Sequence, residues 1–316
     1  MPDRFVAVFP GQGSQYVGMG KDLWDHSPAA RRILAEADDT LGFDLTRLCF
    51  EGPEAELRAT KNAQPAILAV SVAAWAAWAE SASLGIRPAY TAGHSLGEFS
   101  ALIVAGALSY EDGLRLVRRR GNLMSVTGEA RQGAMAAILG LAEVDVDAAC
   151  REAAPAGIVV VANYNSEGQT VISGEPEAVT RAGEIAKGIG ARRVVPLSVS
   201  GAFHSPLMQP AAAEFRRTLA EANLRDPLVP VIGNVKAEPL RTASEVRADL
   251  SAQIESPVQW TRTMLLVTQE GIGTLVEVGP GQVLSGLVKR NRSLSAVNVD
   301  SAVSARALAD KWSVAS

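Results

Sequence analysis

Cysteine and histidine are scarce in this chain of 316 residues, with two of the former and three of the latter. Cys49 and Cys150 cannot build a disulfide framework, and neither has metal-ligand spacing or a histidine beside it in a nucleophile motif. They read as reduced core thiols of a cytoplasmic protein. His26, His94 and His204 are too few for a zinc site built on histidine, so no metal is expected. A charge imbalance is also missing: the net charge is −4, and no basic stripe suggests nucleic acid. Long apolar runs are absent too. The longest, Ala66–Ala79, is interrupted by Ser71 and falls short of the roughly 20 residues a membrane-spanning helix needs. The run Phe5–Phe9 is too short for a signal-peptide core and lacks a cleavage pattern. These shortages predict a protein that is soluble, with no membrane association.

Apolar residues make up 47% of the chain and glycine is frequent, which suits a buried core with many tight turns. Phe5–Phe9, stopped by Pro10-Gly11, has the pattern of a buried parallel strand. A glycine-rich loop follows, then a helix near Lys21 and another from Ser27-Pro28 to Leu41. Gln64-Pro65 is expected to open the apolar helix. Tyr90–Gly93 reads as a strand, Glu98–Ala107 as a helix, and Tyr110–Ser125 as a helix carrying Arg118, Arg119 and Arg120. Beyond Gly128 the pattern changes to strand Ala134–Leu139, helix Val144–Ala153, strands Ile158–Asn163 and Thr170–Ser173, helix Pro176–Ile189 and strand Arg193–Leu197. That β-α-β-β-α-β order is the ferredoxin-like one. A helix after Pro206 and strands near Val229–Ile232 and Thr274–Val278 return the chain to the first pattern. The expected fold is therefore α/β: an α/β-hydrolase-like large domain with a parallel sheet (1–128 and 199–316) and an inserted small ferredoxin-like α+β subdomain (129–198).

The strongest local signal is Gly93-His94-Ser95-Leu96-Gly97, which satisfies G-x-S-x-G between a strand and a helix. Such a turn pushes the serine hydroxyl outward, and the helix N-terminus offers free N–H groups to an oxyanion. An ordinary tight turn is the plain alternative. A serine nucleophile needs a base. His26 lies at a helix start as a surface or capping residue, and His94, as the neighbour of Ser95, should point away from it. His204, in the loop Gly201–Pro206, remains. The loop Pro10–Gln15 follows the first strand and lies at the same sheet edge, where its backbone can supply a second N–H. It matches no nucleotide-binding loop.

The blocks FPGQGSQYVGMG, GHSLGEFSAL, LVRRRGNLM, NYNSEGQTVISG, GAFHSPLM, GNV and PVQW…EVGPGQVLSGLVKR follow one another in order. Together, from about residue 5 to 292, they resemble malonyl-coenzyme A:acyl carrier protein transacylases and the acyltransferase domains of polyketide synthases. The resemblance implies transfer of malonyl from malonyl-CoA to an acyl carrier protein through an acyl-serine ester, for fatty-acid or polyketide synthesis, with no permanently bound cofactor. It implies Ser95 as nucleophile and His204 as base, and the backbone N–H groups of Gln12 and Leu96 as oxyanion hole. Arg120 would hold the malonyl carboxylate, and the carbonyl of Gln253 would orient the histidine in place of an acidic residue. Asn163 and Asn234 would lie near the acyl pocket.

Phe203 precedes the expected base. A ring there resembles malonyl-selective polyketide acyltransferases and would crowd an α-methyl group, a discrimination of about 1–3 kcal/mol. The alternative activity is a carrier-directed serine acyl hydrolase, which has no use for Arg120. A catalytically silent docking protein would need none of the three site residues. Lys289, Arg290 and Arg292 suit either an acidic carrier protein or a solvated face.

Overall fold

The apolar run at the start of the chain becomes the centre of a sheet. The computed structural model describes residues 4–82, 85–289 and 293–313. Its strands are β1 (Phe5–Phe9), β2 (Tyr90–Gly93), β3 (Ala134–Leu139), β4 (Val159–Ser166), β5 (Gln169–Gly174), β6 (Arg193–Pro196), β7 (Val231–Ile232), β8 (Pro239–Leu240), β9 (Thr274–Val278) and β10 (Ser295–Val299). The first sheet runs β10-β9-β1-β2-β7-β8 and is parallel except for the β7–β8 hairpin. Every residue of β1 and β2 is buried, because helices cover both faces.

The second sheet, β4-β5-β3-β6, is wholly antiparallel and carries the helices Glu143–Ala153 and Pro176–Gly188. Its strand order is the ferredoxin-like one expected from the element pattern. The two chain segments that join it to the larger sheet cross at Gly128. A Cβ there would sit 2.2 Å from the carbonyl oxygen of Ser200, so only glycine lets them pass. The small sheet is also stitched to the large unit through Val258, whose N–H donates to Ala162 O (2.9 Å) while its carbonyl accepts from Tyr164 N (2.9 Å).

Three expectations need correction. The apolar helix runs Thr60–Ser81, so Pro65 lies inside it rather than at its start. Proline lacks the N–H that would bond the carbonyl four residues back, at Lys61. That carbonyl instead accepts from Arg118 Nη1 at 2.6 Å, which removes part of the usual penalty. The helix carrying the arginines continues to Ala130, and the one after Ser95 is shorter than expected, Gly97–Val104. β8, the edge strand β10 and the helix Ala302–Ser313 have no counterpart in the sequence reading. No described helix is long and apolar enough to cross a membrane.

Candidate active site

Ser95 sits on the turn between β2 and the helix Gly97–Val104, with φ at 52°, in the left-handed region. A β-carbon on a non-glycine residue makes that conformation costly, and surrounding contacts must hold it. They do. Gly97 packs so close to β1 that a Cβ would lie 2.1 Å from Phe9 O. Asn234 clamps the turn from below, its Oδ1 accepting from Ser95 N at 2.6 Å and its Nδ2 donating to Gly93 O at 2.7 Å. Gln253 Nε2 donates to Ser95 O at 3.0 Å. Asn234, expected near the acyl pocket, is thus a brace beneath the serine and is not among the residues lining the cavity.

His204 also has positive φ, 57°, and is 4% exposed. Its Nε2 lies 2.8 Å from Ser95 Oγ. Its Nδ1 lies 2.9 Å from Gln253 O and 3.0 Å from Ser256 O, which fixes the proton on Nδ1 and leaves Nε2 to accept from the serine hydroxyl. Burial, then the nearby Arg120 charge, hold the imidazole down to about 3, with the two carbonyls opposing. The ring is neutral at physiological pH.

Within the run Arg118–Arg120 the three side chains have different surroundings. Arg119 is exposed, Arg118 stacks 4.8 Å from the Phe43 ring centroid, and only Arg120 is buried, at 1% exposure. Arg120 Nη1 donates to Gln64 Oε1 (2.7 Å), and Nη2 donates to Gln253 Oε1 (2.8 Å) and Ser95 Oγ (3.1 Å). No carboxylate pairs with it directly among the described residues, and its Nε has no partner there. Burial lowers the guanidinium to about 10, so it keeps its proton at physiological pH.

These groups face one cavity of about 360 Å³, lined in part by Gln12, Leu96, Met124, Asn163 and Phe203. It opens between the two sheets: Met135, Asn163, Leu197 and Ser198 come from the smaller unit. The backbone N–H groups of Gln12 and Leu96 find no partner among the described residues, so both remain available at the cavity. An alcohol on a neutral imidazole, two free N–H donors and an unpaired cation can together attack a carbonyl, stabilise its oxyanion and hold a negatively charged acyl group.

His94 is among the residues lining this cavity, and its ring is engaged away from the serine hydroxyl, with Nε2 2.8 Å from Asn165 Oδ1 and the ring tilted against Trp260. Gln64, Glu98, Asn165 and Ser256 complete the site and were not singled out by sequence. Glu98, Asn165 and Ser256 lie in or beside the motif blocks, whereas Gln64 carried no signal beyond opening a helix. His26 is a surface residue beside Asp22. Among the described residues no cluster suits a metal ion. Lys289 is exposed beside a separate cleft that includes Arg192, and Arg290 and Arg292 lie outside the described residues.

A family model described as acyl transferase domain matches residues 6–309. The chain is 47% identical over 298 residues to a malonyl CoA-acyl carrier protein transacylase of Bacillus subtilis, covering 94% of this chain and 93% of that protein. It is 44% identical over 305 residues to the enzyme of that name in Escherichia coli K12, covering 96% and 98%. Among solved structures, the malonyl CoA-acyl carrier protein transacylase of Coxiella burnetii superposes with a TM-score of 0.95 at 38% identity, covering 98% of each chain. A malonyl-transacylase solved in complex with its type II polyketide synthase acyl-carrier protein superposes with a TM-score of 0.93 at 44% identity, covering 98% of this chain and 100% of that one.

Proposed function

The chain belongs to the acyl transferase domain family, and from that premise we infer that it is a malonyl-CoA:acyl carrier protein transacylase. The observation that carries the substrate reading is Arg120, a buried cation with no carboxylate partner, 3.1 Å from Ser95 Oγ. Leaving a guanidinium in that state is costly unless a ligand completes it. A malonyl thioester does so: its free carboxylate meets the guanidinium while its thioester carbonyl lies over the serine.

Each half of the reaction then follows from placement. Ser95 Oγ attacks the thioester carbon as its proton passes to His204 Nε2. The N–H groups of Gln12 and Leu96 donate to the developing oxyanion. When the tetrahedral adduct collapses, the C–S bond breaks and the imidazolium returns the proton to the coenzyme A sulfur. The carrier's phosphopantetheine thiol gives its proton to the same nitrogen, attacks the malonyl ester, and Ser95 leaves with that proton. The carbonyls of Gln253 and Ser256 stabilise the imidazolium in place of an acidic residue. The carboxylate of the substrate also offsets the Arg120 charge that helps depress His204, so binding strengthens the base.

These steps call on no metal and no permanently bound cofactor, and malonyl-CoA is a substrate. The partner is an acyl carrier protein. The product serves fatty-acid or polyketide synthesis in the cytoplasm, a setting supported by two buried free thiols. Residues 129–198 form the small subdomain, and 1–128 with 199–316 the catalytic one. Asn163 and Phe203 shape the acyl pocket. A serine hydrolase for neutral acyl chains would leave Arg120 uncompensated, and nothing else in the site favours it.

Intact-mass measurement after mixing with malonyl-CoA tests the reading. A malonyl adduct is expected on the native chain, absent in Ser95→Ala and discharged by an acyl carrier protein. A native chain that releases free malonate and forms no malonyl-carrier would overturn it.

A further inference from the structure

Glu98 lies in the same block as Ser95 yet takes no part in the steps above. Its side chain is fully buried under the turn. Oε2 accepts from Gln253 Nε2 at 2.7 Å, whereas Oε1 has no donor among the described residues. A second carboxyl, Asp249 on the helix Ala243–Gln253, is 8% exposed and lies one turn before Gln253, on the helix face that meets Glu98. Asp249 is better supplied with donors: Oδ2 accepts from Asn234 N at 3.2 Å and Oδ1 from Val235 N at 3.3 Å. The cations whose fields reach the pair are Arg120, on the far side of Gln253, and Lys236, beside Asp249.

Two neighbouring carboxyls in a dry interior do not both ionise, and an ionised one requires donors on its oxygens. The donor count decides between them. Asp249 keeps two N–H groups and its charge, while Glu98 Oε1 has nothing to accept and an acceptor to donate to. Burial, then the Asp249 charge, hold Glu98 well above the usual carboxylate range, in the same direction.

We propose that Glu98 is a protonated positioning residue, which donates through Oε1 to Asp249, sets the Gln253 amide through Oε2, and leaves the Arg120 charge uncancelled for the substrate carboxylate. With Gln253 Nε2 held between Glu98 and Ser95 O, its Oε1 must face Arg120 Nη2. An ionised Glu98 would stand one amide away from that guanidinium and oppose the incoming anion. The consequence for substrate rests on the malonyl reading of Arg120; the proton assignment does not.

Infrared difference spectra of the native chain minus Glu98→Gln at pH 7 should contain a protonated-carboxyl C=O stretch. Its absence overturns the proposal whatever the activity. Glutamine can reproduce both hydrogen bonds, so Glu98→Gln should hold the malonyl-CoA KM within about twofold, while Glu98→Ala raises it about tenfold. A severalfold drop of KM in Glu98→Gln would mean that a negative charge had been removed, and would also overturn the proposal. Asp249→Asn removes the neighbouring charge and offers Glu98 an amide N–H donor, which lets Glu98 ionise and should raise KM about tenfold, with the Glu98→Gln/Asp249→Asn double variant returning towards the native value. No return would reduce the pair to a structural role and refute the assignment. If the infrared band is present but Arg120→Ala keeps full malonyl preference, the substrate reading falls and the protonation stands.

Discussion

Arg120 contributes a charge that a lysine could also carry, but its geometry is specific. Three hydrogen bonds to Gln64, Gln253 and Ser95 hold the guanidinium plane, and Nε has no partner among the described residues. A lysine ammonium offers no planar fork. Arg120→Ala should lower kcat/KM for malonyl-CoA about 100-fold, since a charge-assisted bond is worth about 3 kcal/mol. The same variant should improve acetyl-CoA as a donor, and parallel acylation assays check both. His204 makes a second prediction. Its imidazole is held at about 3 in the folded chain against 6.5 ordinarily, so the folded state stays neutral where the unfolded one takes up a proton. Stability from this site is therefore complete above 6.5 and is lost as the pH falls towards 3. Inactivation of Ser95 by a neutral sulfonyl fluoride should accordingly stay fast well below pH 6.5, and an acid limb centred at 6.5 would contradict it. Phe203→Ser should narrow the preference for malonyl over methylmalonyl by about 1–3 kcal/mol, read from competing thioesters.

The turn after β2 shows what local sequence can reveal about an element. Its signature is contiguous, because strand, sharp turn and helix follow within a few residues, and so Ser95 was legible. The clamps on that turn were not. Asn234 is 139 residues from Ser95 and Gln253 is 158, and no periodicity encodes such contacts. The same reason hid Pro65, which sits within a helix where Arg118, on another helix, takes up the carbonyl of Lys61. β8 and β10 escaped notice because a strand of two residues and an exposed edge strand carry little apolar pattern. At this scale Gly97→Ala is the informative change. Its methyl would meet Phe9 O at 2.1 Å, so β1 and the turn must separate. Overpacking of that kind costs about 3 kcal/mol. The variant should show a lowered Tm together with at least about 100-fold slower acylation of Ser95.

Across the molecule, the order of strands and helices conveyed both sheets, including the inserted antiparallel one, because period-2 and period-3.6 patterns survive in each segment. What it could not convey was how the two sheets meet. They meet at the cavity and at Val258, in the short segment that also bears Ile254 O, bonded to His204 N at 3.1 Å, and Ser256 O, bonded to His204 Nδ1. Val258→Pro removes the N–H donated to Ala162 and should reduce kcat about tenfold while Ser95 remains accessible to small reagents; stopped-flow acylation would show it.

One strap of backbone thus grips the imidazole of His204 on one side and the inserted sheet on the other. Any tilt of that sheet that widened the mouth for bulkier acyl chains would drag the ring out of line with its alcohol. Breadth of diet and speed of turnover are therefore mechanically geared in this enzyme, and engineering that seeks the first should begin by re-anchoring the strap.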